Sequence, residues 1–366
     1  MSMALAACAA FLFALLLTPV VRRLAFLIGA VDAPGGRKVH HRVMPRLGGL
    51  AIFAGYLLTV VAMGFVDSDY HRSEIIGMLV GGAIIVIVGI LDDTRDLPPK
   101  VKLLGQVLAA LAVLPFGLSV DFLTNPFFPP FFGPDVVELG WLRGPITVIW
   151  IIGVTNAVNL IDGLDGLAAG IAAIASVTMA VVAWTQGQIL VASLALILAA
   201  SSAGFLKHNF HPARIFMGDT GAMFLGFTLA CLSILGLAKV ATVISVFIPI
   251  LIVGIPILDT GFAIFRRMQK GQPIFQADKD HLHHRLLALG FSHPQTVMII
   301  YAINTVLGVT AVVLTTVSTA QSVFILILLS SLILMAADRV GILGRSPSAP
   351  EIAASRVGLD GDDESN

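Results

Sequence analysis

The stretch ITVIWIIGVTNAVNLIDGLDGLAAGIAAIASVTMAVVAW, residues 146–184, sets two apolar runs on either side of one polar joint. Each run approaches the about 20 residues that cross the ~30 Å hydrocarbon core of a bilayer. Within the joint Asn156, Asn159, Asp162 and Asp165 recur every third residue. That period keeps neighbours on one side of a helix while drifting slowly around it. Gly163 and Gly166 loosen the backbone there and let it approach a ligand closely. Four oxygen-bearing side chains at the end of a membrane span are costly unless water, a partner or a cation meets them.

The rest of the chain repeats the apolar theme. Of its 366 residues 57% are hydrophobic and 12% charged, and the mean hydropathy is +0.95; a water-soluble globule needs far more charge on its surface. Apolar runs lie near 3–21, 47–66, 75–91, 101–119, 145–160, 167–184, 188–206, 221–238, 241–265, 296–318 and 322–337. Lipid offers backbone groups no outside partner, and the runs are too long and continuous for barrel strands. The expected fold is therefore all-α, a polytopic integral membrane protein of about eleven transmembrane helices.

Arg22 and Arg23 follow the first run instead of preceding it, so that run is not read as a cleavable signal. With the N-terminus outside, all but Arg72, Arg143 and Lys239 of the 22 Lys and Arg residues fall on one face. The positive-inside rule makes that face, and the C-terminus, cytoplasmic. Residues 1–340 form the transmembrane domain, and 341–366, ending DGDDESN, read as a disordered acidic cytoplasmic tail. The Phe- and Pro-rich linker at 120–142 is too broken for a span and reads as a hairpin or re-entrant turn at the outer interface. Cys8 and Cys231 lie within spans and suggest neither a disulfide framework nor a thiolate metal site. Zero formal net charge argues against nucleic acid as a partner.

All five polar clusters fall on the cytoplasmic face. They are DAPGGRKVHHRVMPRLGG (32–49), DDTRDLPPKVK (92–102), the joint quoted above, KHNFHPARIFMGDTG (207–221) and RRMQKGQPIFQADKDHLHHRL (266–286). Each has a plainer reading. DDTRD suits a solvated loop capping the next helix, Arg37 and Lys38 suit topology signals, and Asp219 suits a helix N-cap. His281, His283 and His284 lack an evident fourth zinc ligand, and with Lys279 and Arg285 nearby a basic phosphate clamp fits better. Asp259, alone near the inner end of its span, either pairs with Arg266 or another cation or touches the site.

Asp and Asn oxygens without Cys suit a hard cation such as Mg²⁺, with Mn²⁺ able to substitute, bridging carboxylates to substrate phosphates. No Walker A or dinucleotide fingerprint is present. What remains is phosphoryl chemistry at the membrane surface. A lipid phosphate acceptor is held at headgroup depth, so catalytic groups must sit where spans meet cytosol.

The ordered set DxPxxRKxH with PRxGG, DDxxD, NxxNxxDGxDGL, MGDTG and HxHHR, spread over roughly residues 15–290, resembles the polyprenyl-phosphate N-acetylhexosamine-1-phosphate transferase family. The form HHRVMPRLGG is similar to the members that move N-acetylglucosamine-1-phosphate; the muramoyl-pentapeptide branch usually reads KTPTMGG there. The resemblance implies transfer from UDP-N-acetylglucosamine to undecaprenyl phosphate in the bacterial inner membrane, releasing UMP and starting cell-envelope glycan synthesis. It implies Asn159 and Asp219 as Mg²⁺ ligands. Asp92 and Asp93 become the acidic pair near the acceptor phosphate, Asp92 being the proton acceptor; a covalent role for Asp219 stays open. Asp162 and Asp165 would orient the metal shell or the uridine, with Asn156 beside them. Lys38, Arg46 and Lys102 would meet phosphate, Phe216 would stack on uracil, and His281, His283, His284 and Arg285 would grip the sugar diphosphate. The partners are thus a UDP-sugar, a polyprenyl phosphate and the membrane, and a homodimer is compatible with the sequence. Two other readings are a phospho-N-acetylmuramoyl-pentapeptide transferase and a secondary transporter. The latter would place its acids near the bilayer midplane between repeats.

Overall fold

A computed structural model describes residues 2–32, 43–65, 71–124, 136–236, 247–269, 271 and 281–339. The charged positions Arg37, Lys38, Lys239 and Lys279, and the tail 341–366, lie outside the described residues.

Each of the eleven apolar runs falls on helix. In chain order these are α1 (Met3–Ile28), α2 (Gly49–Ala62), α3 (Arg72–Arg95), α4 (Pro99–Val113), α5 (Arg143–Leu160), α6 (Leu167–Thr185), α7 (Ile189–Asn209), α8 (Gly218–Gly236), the pair α9 (Phe247–Ile252) and α10 (Gly254–Gln269), then α12 (His293–Leu314) and α13 (Thr319–Arg339). A short α11 (Leu282–Ala288) lies between the last pairs. Among the described residues nine helices are long and apolar enough to cross a membrane, and α2, at fourteen residues, is shorter. The chain is an all-helical, polytopic membrane protein.

The structure departs from the expected spans where proline and glycine interrupt them. The run at 241–265 is two helices, broken at Val253, because Pro256 has no N–H to return to the carbonyl of Ile252. The run at 101–119 leaves α-helix after Val113 for a 3₁₀ turn through Pro115, ending on Gly117 at φ +86°. The linker at 120–142 carries an antiparallel strand pair, β3 (Phe122–Thr124) with β4 (Val136–Glu138), the hairpin expected of it.

Every residue of α8 from Thr220 to Gly236 is buried, so this helix is apolar all round and forms the axis of the bundle. Helices α3 and α5 pack on it most extensively, with α2, α6 and α7 completing the surround. Helix α1 instead buries one stripe, Ala6, Ala10, Ala14, Thr18, Val21 and Ala25, against α2 and α7. Small residues every third or fourth position let backbones approach, the main source of helix association where lipid removes the hydrophobic drive. Its other face exposes Leu5, Leu12, Leu16, Val20 and Leu27, as a lipid-facing surface should.

Two of the sequence clusters dock directly on one another. β1 (Val31–Asp32) pairs with β2 (Met44–Pro45), and the PRLGG segment that follows lies along MGDTG. Phe216 N–H donates to the Pro45 carbonyl at 2.8 Å, Gly48 N–H to Phe216 at 3.0 Å and Gly49 N–H to Met217 at 2.8 Å. At this crossing a Cβ on Gly49 would stand 1.9 Å from Gly221 Cα. Gly49→Ala is therefore expected to destabilise the protein by about 1–3 kcal/mol, the usual cost of overpacking, read as a lower melting temperature in detergent. Gly153→Ala, whose Cβ meets nothing within 4 Å, is the control. Equal melting of the two variants would refute the close backbone approach.

Candidate functional site

The ends of α3, α4, α5 and α8 that carry the polar clusters come together at one end of the bundle. Arg72 and Arg143 sit at the opposite ends of α3 and α5.

The joint is built from the start of α8. A helix start leaves its first N–H groups without partners, and here both oxygens of Asp93, from α3, receive them. Asp219 N–H donates to Oδ1 at 2.9 Å, Thr220 N–H to Oδ2 at 3.0 Å and Thr220 Oγ1 to Oδ2 at 2.6 Å. Gly218, at φ +72°, makes the approach; a Cβ there would lie 2.5 Å from Asp93 Oδ2. Asp93 is 2% exposed. The acidic pair is thus divided: Asp93 caps α8 and is not open to an acceptor phosphate, because every oxygen it has is engaged and buried. Asp219, read from sequence as either a cap or a ligand, is relieved of capping.

Its carboxylate instead meets Lys102 and Asn159. Lys102 Nζ, from the first turn of α4, lies 2.8 Å from Asp219 Oδ1, 3.0 Å from Asp92 Oδ2 and 3.1 Å from Asn159 Oδ1. Asn159 Nδ2 also donates to Asp219 Oδ1. Asp92 accepts from Leu97 N–H at 2.8 Å, which fixes it at the α3 terminus. Three helices therefore supply one cluster of oxygens around a single ammonium from a fourth. Arg46 closes its edge, donating from Nε to the Asp93 carbonyl at 2.9 Å and pairing through Nη2 with Asp96 at 2.5 Å.

Asn156 does not join this cluster. A period of three falls behind the 3.6-residue turn, and Asn156 faces into the bundle, where it exchanges hydrogen bonds with Gln106 at 2.7 and 3.1 Å. Its expected substrate contact is replaced by this buried amide pair.

The 161–166 loop brings Asp162 and Asp165 into different settings. Asp162 is half-buried, and among the described residues its carboxylate accepts no hydrogen bond. Burial, then the charges of Asp219, Asp93 and Asp165, push its pKa up to about 8. Asp165 Oδ2 accepts from His211 Nδ1 and from Ala213 N–H, both at 3.0 Å. It thereby ties the loop to the 210–216 segment, a positioning role. Asn209, which accepts from Gly166 N–H at 3.1 Å, and Tyr301, whose hydroxyl donates to the Gly166 carbonyl at 2.5 Å, complete this scaffold. None of Asn209, His211, Gln106 or Tyr301 was singled out from sequence; only the first two lie in a quoted polar cluster.

The histidines of α11 sit against the same loop. A Cβ on Gly163 would lie 2.5 Å from His283 Nε2. His283 is 2% exposed, and burial, with His284 beside it, lowers its pKa to about 4. It packs against the loop backbone instead of facing solvent. His284 is exposed, and Arg285 and Phe216 are partly buried near the loop and the PRLGG crossing.

Two groups have metal-binding chemistry. The ligand atoms of Asp165, His211 and His293 lie within 4.8 Å of one another, but the Asp165 oxygen already accepts two hydrogen bonds. Asp92, Asp219 and Asn159, with Asp162 nearby, form an all-oxygen set that suits a hard divalent cation.

Several known proteins resemble this chain. Residues 75–237, which hold DDxxD, NxxNxxDGxDGL and MGDTG, match the model of glycosyl transferase family 4. The chain is 47% identical over 90% of its length, and 89% of the other, to a Bacillus subtilis protein named "Probable undecaprenyl-phosphate N-acetylglucosaminyl 1-phosphate transferase". It is 35% identical, over 78% and 75% of the two chains, to a decaprenyl-phosphate N-acetylglucosaminephosphotransferase of Mycobacterium tuberculosis. A Salmonella typhimurium undecaprenyl-phosphate alpha-N-acetylglucosaminyl 1-phosphate transferase is 30% identical over 82% of each chain. With likeness running through nearly the whole chain and all the docked clusters, the chain belongs to glycosyl transferase family 4.

Proposed function

We propose that the chain transfers N-acetylglucosamine-1-phosphate from UDP-N-acetylglucosamine to undecaprenyl phosphate, releasing UMP. The observation that carries this reading is the oxygen cluster of Asp92, Asn159 and Asp219 around Lys102 at the ends of four membrane helices. The names of the relatives supply the substrates. The proposed topology has eleven crossings with the N-terminus outside. The cluster then faces the cytoplasm, where nucleotide sugars are found and where nearly all the cationic residues fall.

A lipid phosphate oxygen attacks the β-phosphorus, the bond from that phosphorus to the bridging oxygen breaks, and UMP leaves with the pair of electrons. Asp219, Asn159 and Asp92, with Asp162 beside them, would hold a Mg²⁺ ion. Bound there, such an ion neutralises phosphoryl charge and orients both substrates. Lys102 holds the acceptor phosphate against the same oxygens. The acceptor is already largely ionised at neutral pH, so positioning outweighs proton removal by Asp92. Phe216, held by the backbone against Pro45 and Gly48, would stack on the uracil. Asp93, Asp165 and Asn156 act indirectly, by holding the helix ends.

The test is exchange of labelled UMP into UDP-N-acetylglucosamine by purified protein supplied with lipid phosphate and Mg²⁺. Exchange only with UDP-N-acetylmuramoyl-pentapeptide would move the chain to the other transferase branch, and no exchange with either donor would favour a transporter. Asp219→Asn is expected to abolish exchange, by at least about 10³-fold, while the variant melts as a folded protein; an active variant would remove Asp219 from the site.

Asp162 gives a second expectation. An Asp whose folded pKa is about 8, above its ordinary 3.8, contributes stability below the lower value and loses it as pH rises through the upper one. Without divalent cation the protein should therefore melt at lower temperature at pH 9 than at pH 6. Added Mg²⁺ should stabilise it more at the higher pH, where no proton competes for the carboxylate. Asp162→Asn should flatten both trends; a Mg²⁺ effect independent of pH in the wild type would contradict this assignment.

A further inference from the structure

Asp259, the lone acid of the span at 241–265, has a specific partner. It lies on α10 at 5% exposure, and its Oδ2 accepts from His281 Nδ1 at 2.8 Å. Its Oδ1 accepts from Leu282 N–H at 2.9 Å. One carboxylate thus holds both the first turn of α11 and the ring that precedes it. His281 occupies the N-cap position of α11 but makes no side-chain capping bond, because Asp259 performs that task from another helix. The imidazole is 5% exposed, and its Nε2 has no hydrogen bond among the described residues. The His281 ring lies parallel to that of His283, 6.0 Å away, and His283 contacts Gly163 in the 161–166 loop. Helix α10 itself packs on α5, which leads into that loop.

A capping acceptor requires one oxygen. The second oxygen, on His281, does something capping does not: it selects one ring flip and one tautomer, with the proton on Nδ1. A carboxylate behind an imidazole is the recurrent means of orienting a histidine that acts through its other nitrogen. We propose that Asp259 is a positioning residue for the transfer reaction, holding His281 so that Nε2 meets the diphosphate of the nucleotide sugar. Held on Asp259 through Nδ1, the ring presents Nε2 to a phosphoryl oxygen and links the donor substrate to a helix outside the oxygen cluster. The inference rests on the reaction proposed above.

The experiment is the UMP exchange assay on the full chain, run as a double-mutant cycle with melting temperature recorded for every variant. Asp259→Asn keeps an acceptor for Leu282 N–H but loses the charge. It should lower exchange by about 10–100-fold, the usual effect of removing such an outer partner. The Michaelis constant for the nucleotide sugar should rise while that for lipid phosphate stays within about twofold. In a His281→Ala background the same change should add less than about threefold, since the two residues act as one unit. Asp259→Ser, short of the ring but still able to cap, serves if the Asn variant does not fold. An undiminished loss in the His281→Ala background, or wild-type kinetics in both Asp259 variants, overturns the positioning role. Wild type without exchange overturns the proposed reaction and this inference with it.

Discussion

A helix that starts inside a membrane bundle must find acceptors for its first N–H groups, since neither lipid nor bulk water supplies them. Helix α8 is such a helix, and Asp93 of α3 meets that need with both oxygens. The consequence is geometric. The cap comes from a neighbouring helix, so α3 and α8 are fastened at this end, and Asp219 is left to face Lys102 and Asn159. Arg46 then binds the carbonyl of the capping residue, and the PRLGG segment lies along MGDTG.

The site that results has too much negative charge for its purpose. Asp92, Asp162 and Asp219 gather where the proposed reaction would bind a diphosphate, and Lys102 is the cation placed among the oxygens of two of them. Asp162 accepts no hydrogen bond among the described residues. A substrate bearing several charges cannot enter such a cluster without further positive charge, and oxygen donors of this kind select a hard cation. In the proposed reaction, carboxylates beside phosphates would be reconciled by such an ion.

The helical architecture was legible because hydropathy reports length in the membrane directly, and the five clusters were legible because charge is rare there. The division of labour within clusters was not. Asp92 and Asp93 are adjacent and chemically identical, and only the 100° turn between them on α3 sends one to Lys102 and the other to the α8 terminus. Asn156 and Asn159 share a motif yet face Gln106 and Asp219 respectively. Asp259 stood outside every motif, and its partner lies 22 residues further along the chain. Nothing in the sequence marked the glycines of PRLGG and MGDTG, yet Gly49 and Gly221 serve the crossing of two backbones. Such roles depend on long-range contacts, which no local pattern encodes.

Because the oxygens around Lys102 come one or two to a helix, from α3, α5 and α8, with the lysine on α4, the cluster has no rigid loop of its own. Its internal distances are set by the mutual tilt of four rods. Tilt is also how membrane helices adapt to lipid chains longer or shorter than their apolar length. A bilayer whose acyl-chain length changed that tilt would therefore change the spacing of these oxygens.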